Sequence, residues 1–273
     1  MDKAKISNYF SRIGYSGTPA ANLETLRELH LLHTLSIPFE NLTPFLYQEV
    51  SLETTALHEN LVTQKRGGYC FEQNLLFLDV LRELGFTATG LGARVLWNRS
   101  DEEITRRSHM LLSVEIEGVV YLADVGFGGL TLTIPILFKA DLIQETTHER
   151  FRIVPVGVDY KLQAQVDEKW KTLYRFDTQE QYLPDYEVAN FYLYTHPTSP
   201  FRTALLAAKA TRGGRLALQN RQLTVYTLGK EPLRTQLESV KQLKETLVNE
   251  FGVDLSLLNK ADERLHSLFN TKE

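Results

Sequence analysis

The sequence is poor in cysteine, carries no excess of basic charge and has no long apolar run. Its 273 residues include one cysteine, Cys70, which excludes an internal disulfide and favours a reducing compartment. The formal net charge of −4 gives no support for nucleic-acid binding, which usually needs a basic face. One cysteine and scattered histidines offer no cluster of metal ligands, so no metal is expected.

The apolar segments are short. None approaches the roughly 20 residues that span a bilayer, and the N-terminus lacks the apolar segment of a signal peptide. We therefore expect a soluble, cytoplasmic protein without a membrane partner. Hydrophobic residues form 43% of the chain and charged residues 23%, which is typical of globular rather than disordered or fibrous proteins.

The first third of the chain has helical periodicity. Leucines recur at helical spacing from Leu23, and a second helical stretch is predicted for 52–64, with Ser51 as its N-cap. A third helix should begin after Gly68 and end at Gly85.

Strand patterns follow the helical region. Segments 108–116 and 119–125 predict a half-buried strand and a largely apolar strand joined by a tight turn. Further short strands with turn signals between them suggest an antiparallel sheet or barrel. Helices and a hairpin mix in the last third, so the pattern predicts an α+β fold.

Cys70 has the sequence context of a reactive thiol. It follows two glycines and opens an amphipathic helix, where the helix dipole and free backbone N–H groups favour the thiolate. The alternative is a small buried apolar residue. A nucleophilic cysteine also needs a base, and that base needs an orienting partner.

His109 and Asp124 are the candidates for base and orienting partner. They lie on two strands separated by the turn at Gly118, so a hairpin would make them neighbours. Asp124 interrupts an apolar run, where an unpaired carboxylate would be costly. The alternatives are a structural histidine and an acceptor of N–H groups at a strand end. Among the other histidines, His196 is hard to dismiss. The pattern places His30 and His33 at a helix surface or core edge. Three others lie in charged surroundings and are expected in solvent: His58, His148 and His266.

Four motifs resemble those of the arylamine N-acetyltransferase family. They are, in chain order, 37–42 (IPFENL), 66–72 (RGGYCFE), 108–112 (SHMLL) and 124–129 (DVGFGG). The resemblance implies a helical bundle over 1–86, a β-barrel over 87–184 and an α/β lid over 185–273. It also implies acetyl-CoA as donor and a triad like that of papain and transglutaminase: Cys70, His109 and Asp124.

The resemblance further assigns the residues that line the cleft. The loop Gly126, Phe127, Gly128 and Gly129 is implied in cofactor binding, although these glycines could also form a simple strand-ending turn. Phe127 is implied at the border of the acceptor pocket, and Val95 and Phe201 are expected to add apolar wall.

Charged residues beside apolar ones suggest structural support for the cysteine loop. We expect Glu40 and Arg66 to pair, with Asn41 also bonding; the alternative is two unrelated surface charges. Three basic residues near a glycine pair are candidates to meet CoA phosphates, although such loops are usually just solvated: Lys209, Arg212 and Arg215.

The sequence therefore predicts acetyl transfer through an acetyl-cysteine, in a ping-pong reaction of xenobiotic metabolism. The acceptors would be arylamines, arylhydrazines or N-hydroxyarylamines. Three alternatives remain open. They are a transglutaminase-like thiol hydrolase, a family member that makes cyclic amides or uses a longer acyl-CoA, and a catalytically idle binding protein.

Overall fold

The N-terminal region is helical, and it also supplies one short strand. The structure is a computed structural model that describes residues 3–256, 258 and 261–270. The elements of this region are α1 Lys3–Ile13, α2 Leu23–Ser36, β1 Phe39–Glu40, α3 Leu42–Phe45, α4 Thr54–His58 with a π-helical turn over Glu59–Thr63, and α5 Cys70–Glu83. Gly85 follows α5 with a φ of 87°, a conformation that glycine adopts without strain.

The prediction that Ser51 caps the second helix is wrong. Helix α4 begins at Thr54, and Glu53 occupies the capping position. The Ser51 hydroxyl instead accepts the N–H of Glu53, 3.3 Å away, in a local turn. Serine competes for nearby backbone groups in several ways, so its presence marks a turn without fixing the first helical residue.

The middle of the chain folds into a nearly closed antiparallel barrel. Its strands are β2 Thr87–Val95, β3 Arg107–Ile116, β4 Val119–Ala123, β5 Ile136–Leu137, β6 Gln144–Glu145, β7 Arg150–Val156, β8 Asp159–Val166 and β9 Lys169–Gln181. They lie side by side in the order β5-β4-β3-β2-β9-β8-β7-β6. The chain after β5 returns towards β7, where the N–H of Asp141 donates to the carbonyl of Ile153 at 2.8 Å.

Strand β3 is covered on both faces over 109–112, whereas further along it is half-buried as predicted, with Val114 buried and Glu115 exposed. Met110 and Leu112 pack into the helical core, while Leu111 packs inside the barrel. Both faces are apolar along this stretch because helix α5 lies against the outside of the strand. Strand β4 ends at Ala123, so Asp124 begins the loop that follows it rather than lying within the strand.

The last region combines helices with a second antiparallel sheet. Its elements are α6 Leu183–Thr195, α7 Pro200–Thr203, β10 Leu206–Thr211, β11 Gly214–Gln219, β12 Gln222–Thr227, β13 Leu233–Gln236, α8 Val240–Thr246 with a π-helical turn over Leu247–Phe251, and α9 Ala261–Asn270. The sheet order is β1-β10-β11-β12-β13, so the N-terminal region contributes its edge strand. Among the described residues, no helix has the length and apolar character needed to cross a membrane.

Four histidines are less exposed than the sequence indicates. His30 and His33 of α2 are fully buried, because α2 packs between α1 and α5 rather than at the surface. His58 is buried against the carbonyl of Lys5, and His148 is half-buried against the carbonyl of Thr211. Only contacts from distant parts of the chain bury these rings, and periodicity does not report such contacts.

A buried chain of hydrogen bonds connects three helices to the cysteine loop. The hydroxyl of Tyr9 donates to Nδ1 of His33 at 2.9 Å, and Nε2 of His33 donates to Oε1 of Gln73 at 2.8 Å. Nε2 of Gln73 then donates to the carbonyl of Gly68 at 3.0 Å. Burial lowers the pKa of His33 to about 3, so this ring stays neutral and can accept from Tyr9.

The buried histidines should make the fold acid-sensitive. Burial also lowers the pKa of His30 to about 4, whereas the ordinary histidine value is 6.5. Below pH 6.5 the two histidines become protonated in the unfolded chain but stay neutral in the folded protein. The free energy of unfolding therefore falls as pH falls. Each histidine should contribute about 2 kcal/mol to this loss at pH 5. In His33→Gln, the loss between pH 7 and pH 5 should be smaller by that amount in urea denaturation.

The matched control is His266→Gln, because His266 is exposed. It should leave the pH dependence of the free energy of unfolding unchanged. An equal pH dependence in wild type and His33→Gln would contradict the argument from burial.

Candidate active site

Cys70 is held at the first turn of α5 by the buried side chain of Glu72. The backbone N–H of Tyr69 donates to Oε2 of Glu72 at 3.0 Å, and the side-chain amide of Asn60 donates to Oε1 at 3.1 Å. Burial, followed by the charge of Glu40, raises the pKa of Glu72 to about 8. The capping contact thus fixes where the helix begins and presents the cysteine at its N-terminal end.

Two glycines permit close backbone approaches around the thiol. A Cβ on Gly67 would lie 2.2 Å from the carbonyl oxygen of Pro38, so a side chain there would collide with the backbone. A Cβ on Gly126 would lie 2.8 Å from Cα of Cys70. The loop after β4 can therefore pack directly on the first turn of α5 only because glycine stands at that position.

His109 lies between the thiol of Cys70 and the carboxylate of Asp124. Its Nε2 is 2.7 Å from Oδ2 of Asp124, and both side chains are almost completely buried. Cys70 approaches the same imidazole closely enough to raise its pKa, and Sγ lies 3.5 Å from the carbonyl oxygen of Ser108. The hairpin of β3 and β4 thus brings together the two residues that the sequence analysis paired.

The Asp124 carboxylate receives four hydrogen bonds. Oδ2 accepts from His109 and from the hydroxyl of Tyr174, the latter at 3.0 Å. Oδ1 accepts from the side-chain amide of Asn74 at 3.1 Å and from the N–H of Gly126 at 3.0 Å. A carboxylate with this many donors remains ionised although it is buried.

Sequence reasoning missed Asn74 and Tyr174. Asn74 had a usable signal, because it stands four residues after Cys70 and therefore on the same face of α5. Tyr174 lies on β9, and nothing in its local sequence marks it. The contact of His30 with Asp124 was not predicted either: Nε2 of His30 accepts the backbone N–H of Asp124 at 3.2 Å.

The pKa shifts of the pair favour a charged imidazole. Burial alone lowers the pKa of His109, but the charge of Asp124, the hydrogen bond that the ring donates to it, and the nearby Cys70 raise it to about 10. Burial would raise the pKa of Asp124, and the contacts with His109 instead hold it below its usual value. An imidazolium beside sulfur stabilises the thiolate, so the arrangement suits nucleophilic attack with proton transfer through His109.

Aromatic rings border the imidazole. Phe127 meets His109 edge-on with ring centres 5.2 Å apart, and Tyr174 lies 4.9 Å from His109. Val95 is the register partner of Tyr174 in the barrel sheet. The ring of Phe201 packs separately, 5.2 Å from Tyr69.

The glycines of the loop after β4 differ in their surroundings. Gly128 has a φ of 92°, in the region that favours glycine, and a Cβ there would stand 3.4 Å from the ring of Phe39. Gly129 is exposed, and a Cβ on it would meet nothing within 4 Å. The loop therefore combines a tightly packed start at Gly126 with an open end that a ligand could approach.

Comparisons with known proteins agree with the fold and the motifs. A family model described as N-acetyltransferase matches residues 22–260. The arylamine N-acetyltransferase of Escherichia coli K12 is 43% identical over 91% of this chain and 88% of its own length. The relative of the same name from Mycolicibacterium smegmatis is 42% identical over 94% of each chain. The chain belongs to the arylamine N-acetyltransferase family.

Solved structures of this family share the whole fold. The arylamine N-acetyltransferase of M. smegmatis superposes with a TM-score of 0.94 at 40% identity, covering 99% of this chain and 100% of the other. The Mycobacterium marinum enzyme in complex with CoA has a TM-score of 0.92 at 34% identity, covering 97% and 98%. The predicted fold of helical bundle, barrel and α/β lid is confirmed.

The loop that carries the family's cysteine motif contains a buried ion pair. Arg66 donates to Oε1 of Glu40 from Nε at 2.9 Å and from Nη2 at 2.7 Å. The other carboxylate oxygen of Glu40 accepts the N–H of Leu42 at 2.6 Å. The two charges are therefore partners, not unrelated surface groups. They fasten the chain before Cys70 to β1.

Asn41 bonds to the third region of the chain rather than to the ion pair. Its side-chain amide donates to the carbonyls of Phe201 and Ala204 at 2.9 and 2.7 Å. Its side-chain oxygen accepts the N–H of Leu206 at 2.7 Å. Asn41 thereby fixes α7 and the backbone that follows it against the loop that carries Glu40.

The basic residues considered for CoA phosphates are differently engaged. Arg215 is buried against Glu149, and Nζ of Lys209 donates to the carbonyl of Phe251 at 3.1 Å. Arg212 is exposed. Within the described ranges, no group of three or more histidine, cysteine or acidic side chains could hold a metal ion.

Removal of Arg66 should strongly destabilise the protein. In Arg66→Met the carboxylate of Glu40 would remain buried without its cation, at a cost of about 3–5 kcal/mol. The free energy of unfolding from chemical denaturation should fall by this amount, and Glu40→Gln in the same chain should restore part of it.

The control is Arg99→Met, which breaks the half-exposed pair of Arg99 and Glu103. Its cost should stay below about 1 kcal/mol. Equal stability losses in the two arginine variants would contradict the buried pair as a lock for the cysteine loop.

Loss of the Asp124 charge should slow alkylation of the thiol at neutral pH. That charge is the main influence that raises the pKa of His109, so in Asp124→Asn the imidazole should be largely neutral at pH 7. The rate of Cys70 alkylation by iodoacetamide at pH 7 should fall at least about tenfold. It should recover as pH rises, because the thiolate is the form that iodoacetamide alkylates.

Asp177→Asn is the matched control, since Asp177 pairs with Arg107 at the barrel surface. Its alkylation profile should follow wild type. A wild-type profile in Asp124→Asn would show that His109 does not need this carboxylate.

Proposed function

We propose that the chain transfers an acetyl group from acetyl-CoA to arylamines, arylhydrazines or N-hydroxyarylamines through an acetylated Cys70. The observation that carries this proposal is the imidazole of His109 held between the thiol and the buried Asp124. Acetyl-CoA as the donor is supported by the relative that was solved in complex with CoA. The acceptors are supported by the names of the relatives, among them one from Salmonella typhimurium that is also named an N-hydroxyarylamine O-acetyltransferase.

The first half of the reaction acetylates the cysteine. The Cys70 thiolate attacks the thioester carbonyl, and backbone N–H groups in the first turn of α5 are available to stabilise the oxyanion. The bond between the acetyl carbon and the CoA sulfur breaks. CoA leaves as a thiol after taking the proton that His109 carries.

The second half moves the acetyl group to nitrogen. The amine attacks the acetyl carbon, and neutral His109 accepts the proton that the amine loses. The bond to Sγ breaks, which restores the thiolate of Cys70 beside an imidazolium. Asp124 keeps the imidazole ring oriented in both halves of the reaction. His109 can therefore serve as the acid in the first half and as the base in the second.

The substrate positions are part of the same proposal. Acetyl-CoA would lie along the loop Gly126, Phe127, Gly128 and Gly129, supported by the open space at its end. The acceptor would lie against Val95, Phe127 and Phe201, supported by the rings around His109. Glu40, Asn41 and Arg66 would hold the site's framework from behind the cysteine loop.

The division into working parts is likewise proposed. Residues 1–86 would carry the nucleophile, 87–184 the histidine and aspartate, and 185–273 the lid. The scarcity of cysteine supports a reducing, cytoplasmic location.

The deciding experiment is the intact mass of the protein after incubation with acetyl-CoA and no acceptor. Wild type should gain one acetyl group and release one CoA. An added arylamine should then discharge the acetyl group as the N-acetylated amine. Cys70→Ser is the matched control and should gain nothing.

Other outcomes would contradict acetyl transfer. Free CoA that accumulates without acceptor, with no N-acetylated amine when acceptor is added, would identify a hydrolase. An inert wild-type protein that reacts with a longer acyl-CoA would identify a different donor.

A further inference from the structure

A buried ion pair joins the lid sheet to the barrel. Arg215 of β11 donates from Nε to Oε1 of Glu149 at 2.8 Å and from Nη2 to Oε2 at 2.6 Å. Glu149 directly precedes β7 of the barrel, and Arg215 is 3% exposed. The planar guanidinium suits these two bonds in a way that a lysine ammonium does not.

The same guanidinium reaches the active-site loop. Nη2 of Arg215 also donates to the carbonyl of Thr131 at 2.9 Å. The Thr131 hydroxyl donates to the carbonyl of Asp124 at 2.7 Å and accepts the N–H of Phe127 at 3.2 Å. Hydrogen bonds to the carbonyl and to the hydroxyl of Thr131 therefore connect the lid sheet, through this one residue, to the backbone of Phe127.

We propose that Arg215 is a positioning residue for acceptor binding. Through Thr131 it fixes where the ring of Phe127 stands against His109, and so it couples the lid sheet to the wall of the acceptor site. This inference rests on the proposed function, which places Phe127 at that wall. Arg215 is not placed to meet a phosphate, because its side chain is buried and Glu149 and Thr131 occupy Nε and Nη2.

A second contact keeps the lid docked when Arg215 is changed. Nε2 of His148 lies 2.8 Å from the carbonyl of Thr211 and 2.9 Å from that of Gly214, at the turn between β10 and β11. Nδ1 of His148 accepts from the Thr147 hydroxyl at 2.9 Å. This histidine ties the hairpin to the barrel through hydrogen bonds that do not involve Thr131. Variants of Arg215 should therefore fold, and what they lose is the link to the loop.

The first test is Arg215→Lys, which keeps the positive charge but loses the paired hydrogen bonds of the guanidinium to Glu149. The KM for the arylamine should rise about tenfold, because a small displacement of a positioning group has large kinetic effects. The pH profile of Cys70 alkylation by iodoacetamide should stay as in wild type, since neither Arg215 nor Thr131 contacts the His109 ring. Arg175→Lys is the matched control, because Arg175 pairs with Asp159 within the barrel sheet and does not reach the loop. Its KM should be unchanged.

The second test concerns the path. Thr131→Val removes the hydroxyl that links Asp124 to Phe127 and leaves the carbonyl that Arg215 binds. If both residues act through one chain of bonds, the double variant should have a KM close to that of the worse single variant. Independent effects that multiply in the double variant would overturn the path.

A third measurement does not depend on acetyl transfer. The ratio of Cys70 alkylation rates with N-benzylmaleimide and with iodoacetamide reports the space for an aromatic group beside the thiol. This ratio should change severalfold in Arg215→Lys and stay constant in Arg175→Lys. A changed ratio in a protein that transfers no acetyl group would refute the proposed function and support the role of Arg215. A lowered melting temperature with unchanged KM and unchanged ratio would reduce Arg215 to a structural ion pair and overturn the inference.

Discussion

The buried carboxylate of Asp124 is the constraint on which the arrangement of the site depends. A charge in this position is tolerable only if several donors meet it, and the donors come from different elements: Asn74 from α5, His109 from β3 and Tyr174 from β9. His30 of α2 accepts the backbone N–H of the same aspartate. The helical region and the barrel are thus held in a fixed relative position at Asp124. The packing that satisfies this carboxylate also sets the position of the imidazole beside the thiol.

The sequence could predict those parts of the site that local chain geometry dictates. A tight turn makes the two strands of a hairpin neighbours, so the pairing of His109 with Asp124 followed from their spacing. Tyr174 reaches the same carboxylate from a distant strand, and no local pattern reports that contact. The same limit explains the error at His33. Its helix shows the expected periodicity, but periodicity does not tell which faces of α2 become covered by other helices.

The segment that contains Glu40 and Asn41 connects the cysteine loop of the helical region to the third region of the fold. Glu40 binds Arg66 beside the cysteine loop, while Asn41 binds backbone within α7 and directly after it. The short strand β1 adds an edge to the lid sheet at the same place, where Phe39 is paired with Ala208. Sequence analysis identified the charges as partners from their apolar surroundings. The contacts of Asn41 with the lid could not be predicted from the sequence. An asparagine side chain can donate to or accept from any backbone group, so tertiary packing alone decides its partners.

Burial of the thiol has a chemical consequence that the triad alone does not express. A low local dielectric strengthens the attraction between a thiolate and the imidazolium of His109, and exclusion of water protects a thioester on Cys70 from hydrolysis. Both effects depend on the side chains that enclose the sulfur, and Phe127 and Tyr174 supply ring surface directly against the imidazole. In the proposed mechanism, cysteine, histidine and aspartate form the acyl-enzyme, and we expect the aromatic enclosure to decide whether an amine or water receives the acyl group. A hydrolase could share the first set of residues and differ only in the second.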